Sequence, residues 1–109
     1  MKAIDSMAWL QELVKAELHV HLEGSLSVES LNKIARRKGL PLIVENPYIF
    51  HDFQEFNQCF LFLADFLTEE EDFFQLAFDF TSRQARRKIN YTEASFMPMG
   101  HIRRGVAMA

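Results

Sequence analysis

Apolar residues recur along this chain with two different periods. Met7, Leu10, Leu13 and Val14 share one stripe and predict a short helix over Ser6–Lys15. Ala16–Leu22 alternates with a period of two and predicts a strand, which Gly24-Ser25 breaks. Val28, Leu31, Ile34 and Ala35 return to helical spacing. They predict a helix over Val28–Lys38, with Ser27 as its N-cap and Gly39 as its stop. Leu40–Phe50, punctuated by Pro41, Asn46 and Pro47, reads as a connection. Asp52 then caps a helix that carries Phe53, Phe56, Phe60, Leu63 and Leu67 on one face. Thr68 reads as the next N-cap, and Phe73, Leu76, Ala77 and Phe80 form a stripe that runs to about Arg87. Ile89–Met97 predicts a second strand, with Tyr91, Glu93 and Ser95 on one face, ended by Pro98 and Gly100. Gly100–Ala109 carries no periodic signal.

Strand, long helical segment, strand is a βαβ pattern, which predicts parallel strands in an α/β fold. The helical excursion exceeds a minimal crossover. The surplus helices are expected to cover the end of the sheet. The 109 residues suffice for one small domain, so the chain is read as a single unit, 1–109.

Charge and composition narrow the partners. The net charge is −3, so the chain has no basic surplus with which to neutralise phosphates, and nucleic-acid binding is not expected. Arg36, Arg37 and Lys38 suit the negative end of a helix dipole and read as a solvated helix end. Glu69, Glu70, Glu71 and Asp72 crowd a first helical turn, which the same dipole favours. Met1–Lys15 does not read as a signal peptide, and no stretch is long enough to span a membrane. The single Cys59 has no internal disulfide partner, so a reducing, cytoplasmic location is the default expectation. Eleven phenylalanines need a surface to cover them.

The candidate chemistry lies in His19-Val20-His21-Leu22-Glu23-Gly24. Alternate side chains of a strand share a face, so His19, His21 and Glu23 are expected on one side and Leu18, Val20 and Leu22 on the other. Histidines at i and i+2 have Cα atoms about 6.5–7 Å apart. Both rings can then tilt toward one ion at roughly 2.0–2.1 Å. Burying such a set unpaired costs several kcal/mol, which favours a metal. A half-exposed strand with a wet polar face is the other arrangement this spacing allows.

With the motif placed on a strand, Lys15-Ala16-Glu17-Leu18-His19-Val20-His21-Leu22-Glu23-Gly24-Ser25-Leu26 resembles the opening signature of the adenosine/adenine deaminase family. Later pieces are similar in the same order: Asp52-Phe53 through Phe56, Leu67 through Phe73, and Tyr91-Thr92-Glu93-Ala94-Ser95-Phe96-Met97-Pro98. The resemblance runs from about Trp9 to Met99. It implies a metal-dependent (β/α)8 barrel, of which this chain supplies the first two parallel strands and the intervening helices. It also implies that His19 and His21 are Zn²⁺ ligands at the end of the first strand, where catalytic groups of such barrels gather. His21 and Glu23 would contact the substrate, a purine nucleoside or nucleobase whose 6-amino group is hydrolysed to ammonia. Nucleoside deaminases of the family usually carry Asp at the position of Glu23. The longer side chain therefore keeps adenine, or another 6-aminopurine, beside adenosine.

The chain departs from the family pattern at Val14, where a proline is common, and at Lys88-Ile89-Asn90, where the lead into the second strand usually contains glycine. A complete barrel takes about 250 residues. The family's remaining ligands and its general acid come from later strands, so no catalytic residue is assigned here. His51 reads as a loop or cap residue and His101 as surface. The expectation is a chain inactive and loosely packed by itself, self-associating through exposed strand edges. A metal-dependent hydrolase of another substrate class and a catalytically dead interaction fragment are the alternative readings.

Overall fold

The order of elements follows from where local signals start and stop each helix. The computed structural model describes residues 6–107, so the readings of Met1–Asp5 and of the last two residues of the tail lie outside the described residues. Helix α1 (Ser6–Glu12) leads into strand β1 (Lys15–His21) and a 3₁₀ turn (Leu22–Ser25). Helices α2 (Val28–Lys38), α3 (Phe53–Asp65) and α4 (Glu70–Arg86) follow, then strand β2 (Ile89–Ser95) and helix α5 (Pro98–Arg103). The two strands pair in parallel, as the βαβ pattern predicts.

The predicted caps account for most of the boundaries. Ser27 accepts the Ser30 amide at the start of α2. Gly39 ends that helix at φ +67°, a left-handed conformation that glycine adopts without strain. Asp52 Oδ1 accepts the Glu55 amide at 2.8 Å and starts α3. The start of α4 lies one residue later than expected: Glu69, not Thr68, is the N-cap. Asp72 decides this, because its Oδ2 accepts the amides of both Thr68 and Glu69 at 2.9 Å. Helix α5 was not predicted. Its signal is Pro98 at the first helical turn, where a missing N–H costs nothing.

The core is helical. Leu31, Ile34 and Ala35 of α2 meet Leu63 and Phe66 from the end of α3, Leu67 just beyond it, Leu76 of α4, and Leu26. Asp72 sits at its edge, fully buried, and pairs with Lys38 and Arg37. The sheet is less covered. Gln84 of α4 bridges the two strands, donating to Glu17 Oε2 at 2.6 Å and Thr92 Oγ1 at 3.0 Å. Beyond that seam, Leu18 is 63% exposed and Tyr91 57%.

The register contains two irregularities that strict alternation misses: β2 spends an extra residue between the partners of Lys15 and Ala16, Ile89 and Tyr91, and β1 spends one further along. Glu17 pairs with Thr92 and Val20 with Ala94, so β1 spends one more residue than β2 over this stretch. Such a bulge shifts the phase of every side chain after it. Glu17 and Val20 therefore both lie on the covered side, although they are three residues apart. His19 and His21 come out exposed.

Candidate metal and substrate site

At the end of β1, the two imidazoles converge. His19 Nε2 lies 3.2 Å from His21 Nε2, with ring centroids 5.2 Å apart. Two nitrogens bound to one tetrahedral ion at roughly 2.0–2.1 Å stand about 3.3 Å apart. The separation of the two Nε2 atoms is compatible with both reaching one ion. Among the described residues, no group of three or more His, Cys, Asp or Glu side chains is gathered to hold an ion. His19 and His21 supply two nitrogens that could hold an ion together, with no third such side chain gathered beside them among the described residues.

The surroundings of the pair are set by α3, α4 and β2. Phe60 of α3 meets His21 edge-on at 6.3 Å between ring centroids and packs under Gly24. An open cleft of about 350 Å³ is lined by His19, His21, Phe56, Phe60, Arg83 and Arg87, among others. Arg83 donates to the Ser25 carbonyl, which ties α4 to the 3₁₀ turn. Burial, and then the charge of Arg87, hold the Arg83 guanidinium below its ordinary pKa. Ser95, the residue opposite His21 in the parallel register, places its Oγ 3.1 Å from His21 Nδ1.

Glu23 leaves the alternation of the strand. β1 ends at His21, and the 3₁₀ turn carries Glu23 into the interior, where it is 1% exposed. Its Oε1 accepts the Met97 amide at 2.7 Å and a proton from His101 Nε2 at 3.0 Å. Its Oε2 accepts no hydrogen bond among the described residues. Glu23 thus joins the 3₁₀ turn after β1 to the start of α5 after β2. The carboxylate is held at Oε1, and Glu23 is not among the residues lining the cleft beside His19 and His21.

His101 corrects an expectation. It is buried, not on the surface, stacked on Phe96 at 5.3 Å and edge-on to Phe73 at 5.0 Å. Its Nδ1 is buried without a partner among the described residues. The tautomer with its proton on Nε2 meets this arrangement better than the reverse one, because it gives Glu23 a donor and leaves a bare lone pair, not a bare N–H, among the phenyl rings. No sequence signal marked the partnership, since the two residues lie far apart in the chain. His51 is exposed in the loop just ahead of the Asp52 cap, and both its amide and its Nδ1 meet Glu55 Oε2, in keeping with the loop half of its loop-or-cap reading.

Comparisons with known proteins bear on this geometry. The adenosine deaminase family profile matches residues 14–109. The chain is 33% identical over 109 residues to an uncharacterized deaminase of Schizosaccharomyces pombe, covering 94% of this chain and 32% of that protein. It is 38% identical over 105 residues to an adenine deaminase of Pseudomonas putida, covering 91% of this chain and 33% of that protein. Among solved structures, the crystal structure of adenine deaminase from Arthrobacter aurescens superposes with a TM-score of 0.74 at 32% identity. That match covers 86% of this chain and 31% of the other. The chain spans about a third of the length of the relatives it matches.

Proposed function

This chain belongs to the adenosine deaminase family, and on that premise we propose that it is the opening portion of a (β/α)8 barrel that hydrolyses the 6-amino group of a purine, with adenine favoured over adenosine. The observation that carries the proposal is the 3.2 Å approach of His19 Nε2 to His21 Nε2 at the C-terminal end of β1. Support for adenine comes from the relatives named adenine deaminases, and from Glu23. Its side chain is one methylene longer than the aspartate usual in nucleoside deaminases.

In this reading, His19 and His21 would hold Zn²⁺ through their Nε2 atoms. A bound zinc supplies hydroxide near neutral pH, by lowering the pKa of a water that it ligates. Glu23 would offer Oε2 to a donor on the substrate once the cleft opens toward it, while Met97 N–H and His101 fix Oε1. Phe56 and Phe60 form an apolar wall suited to the face of a planar base. Further ligands and the proton donor would come from later barrel strands. We therefore propose that the chain has no deaminase activity by itself, and that its open strand edges favour self-association. Among the described residues no helix is long and apolar enough to cross a membrane.

The test is a graft. Residues 1–109 replace the matched first third of the Arthrobacter aurescens adenine deaminase, and ammonia release is followed from adenine and from adenosine. Zinc-dependent turnover of adenine, abolished by His19→Ala or His21→Ala, is the expected result. Turnover that survives both substitutions sinks the ligand assignment, and a graft that folds, loads zinc and prefers adenosine sinks the choice of adenine. Calorimetric titration of the ungrafted chain should show weak Zn²⁺ binding that the double substitution removes.

A further inference from the structure

We propose that Ser95 is a positioning residue that holds His21 in the tautomer with its proton on Nδ1, leaving the Nε2 lone pair free to face His19. The inference rests on the reading of His19 and His21 as a ligand pair, but its evidence is a proton count that needs no metal.

Ser95 Oγ has two neighbours: the Val20 carbonyl oxygen at 3.2 Å and His21 Nδ1 at 3.1 Å. A hydroxyl has one proton to give. The carbonyl can only accept, so that proton goes to Val20 O. Oγ then meets Nδ1 as an acceptor, and Nδ1 must donate. A neutral imidazole that donates from Nδ1 has no proton on Nε2. The third contact closes the series. His19 Nε2 and His21 Nε2, 3.2 Å apart, would oppose two lone pairs unless one carried a proton, and His19 supplies it in the metal-free chain. Each contact then has one proton: His19 to His21, His21 to Ser95, Ser95 to Val20.

The reverse order is poorer. Ser95 donating to Nδ1 leaves the Val20 contact without a proton. It also puts the His21 proton on Nε2, the atom a metal would need. The parallel register makes the favourable order local to this pair of strands, because it sets Ser95 directly opposite His21. A second partner that fixes the tautomer of a ligating histidine is worth roughly 10–100-fold in metal affinity.

The experiment uses the full chain, ¹⁵N-labelled, with metal stripped, at a pH above the ordinary imidazole range of about 6.5. Long-range ¹H–¹⁵N correlation reads which ring nitrogen of His21 carries the proton. The expected spectrum has His21 protonated on Nδ1. Ser95→Ala should shift it toward the Nε2–H form that is usual for a free side chain, and Ser95→Thr, which keeps the hydroxyl, should restore Nδ1–H. In parallel, Ser95→Ala should weaken Zn²⁺ binding about tenfold and Ser95→Thr leave it near the unsubstituted value. A His21 proton on Nε2 in the unsubstituted chain overturns the proposal, as does a Ser95→Ala spectrum identical to it. Should Ser95→Ala lose its fold, the unsubstituted and Ser95→Thr spectra decide the matter. Failure of the ligand-pair reading looks different: zinc isotherms unchanged by His19→Ala/His21→Ala, whatever the tautomer.

Discussion

The helical layer and the two-stranded sheet treat apolar surface in opposite ways. In α2, Leu31, Ile34 and Ala35 are fully buried, and Leu63, Leu67 and Leu76 close around them. In the sheet, Leu18 and Tyr91 stay mostly exposed. The facing sides of α2, α4 and the end of α3 cover one another, although Phe74 and Phe78 on the outer side of α4 stay exposed. The strands lack such cover, whereas a parallel sheet is normally covered on both faces and flanked on both edges. Packing that sustains the fold is thus concentrated in α2, α4 and the end of α3, while the candidate chemistry sits on the open layer. Substitutions should therefore act in proportion to the layer they touch.

Asp72 should give the largest effect. It is fully buried beside Lys38 and Arg37, and it accepts the amides that start α4. Asp72→Asn leaves two cations facing a neutral amide and should cost about 3–5 kcal/mol. Loss of hydrogen-exchange protection in α2 and α4 is the measurement. Burial alone would raise the pKa of Asp72, but Lys38, the Thr68 and Glu69 amides and Arg37 outweigh it and hold the carboxyl below its ordinary value of 3.8. A carboxyl depressed in the folded state binds fewer protons folded than unfolded. Its stabilisation is complete above pH 3.8 and is lost as pH falls through the lower folded value. The variant should show a flatter dependence of stability on pH across that acid window. An equally steep curve would assign the acid sensitivity to other carboxylates.

Ile34→Ala should come next, at about 3 kcal/mol, because it opens a cavity among fully buried neighbours. A urea midpoint shift no larger than that of Leu18→Ala would erase the distinction between the layers.

His101→Ala should cost about 2 kcal/mol. It removes one of the two donors to the buried Glu23 Oε1 and a ring stacked on Phe96. The loss should be local, with exchange faster in α5 and at the Met97 amide while α2 stays protected. Uniform loss across α2 and α5 would mean that the sheet end is part of the helical core.

These expectations mark what the chain disclosed before its coordinates. Ser27, Gly39 and Asp52 fixed their helix ends because a cap is local chemistry, complete within a few residues. His19 and His21 are legible as a pair because both rings come out on the exposed side even though His19 falls within the irregular stretch between Glu17 and Val20. The bulge itself was not legible, since it exists only as a mismatch with the register of β2. Glu23 was placed on the strand face because alternation was carried two residues past the end of the strand. His101 read as surface because its burial depends on Glu23, Phe73 and Phe96, none of which is near it in the sequence. Thr68 reads as the N-cap on residue type, whereas the Asp72 carboxylate, reaching back to the Thr68 and Glu69 amides, sets the boundary one residue later.

The smallest stability effect should come from the open layer itself, where it is most informative. Leu18→Ser and Tyr91→Ser act on side chains that solvent already reaches, so each should change stability by no more than about 0.5 kcal/mol. Their effect should instead fall on association. The two strands present unpaired edges, and beside them lie exposed Leu18, Tyr91 and Met97, a combination that favours contact with another chain over solvation. Sedimentation velocity over a concentration series should show the unsubstituted chain associating and the double variant shifted toward monomer, with α2 exchange protection the same in both. If the double variant associates as strongly, the contact lies elsewhere, and the stacked, exposed Phe74 and Phe78 on α4 are the next surface to substitute. If it loses protection in α2 as well, the sheet supports the helical layer after all, and the two regions form one cooperative unit.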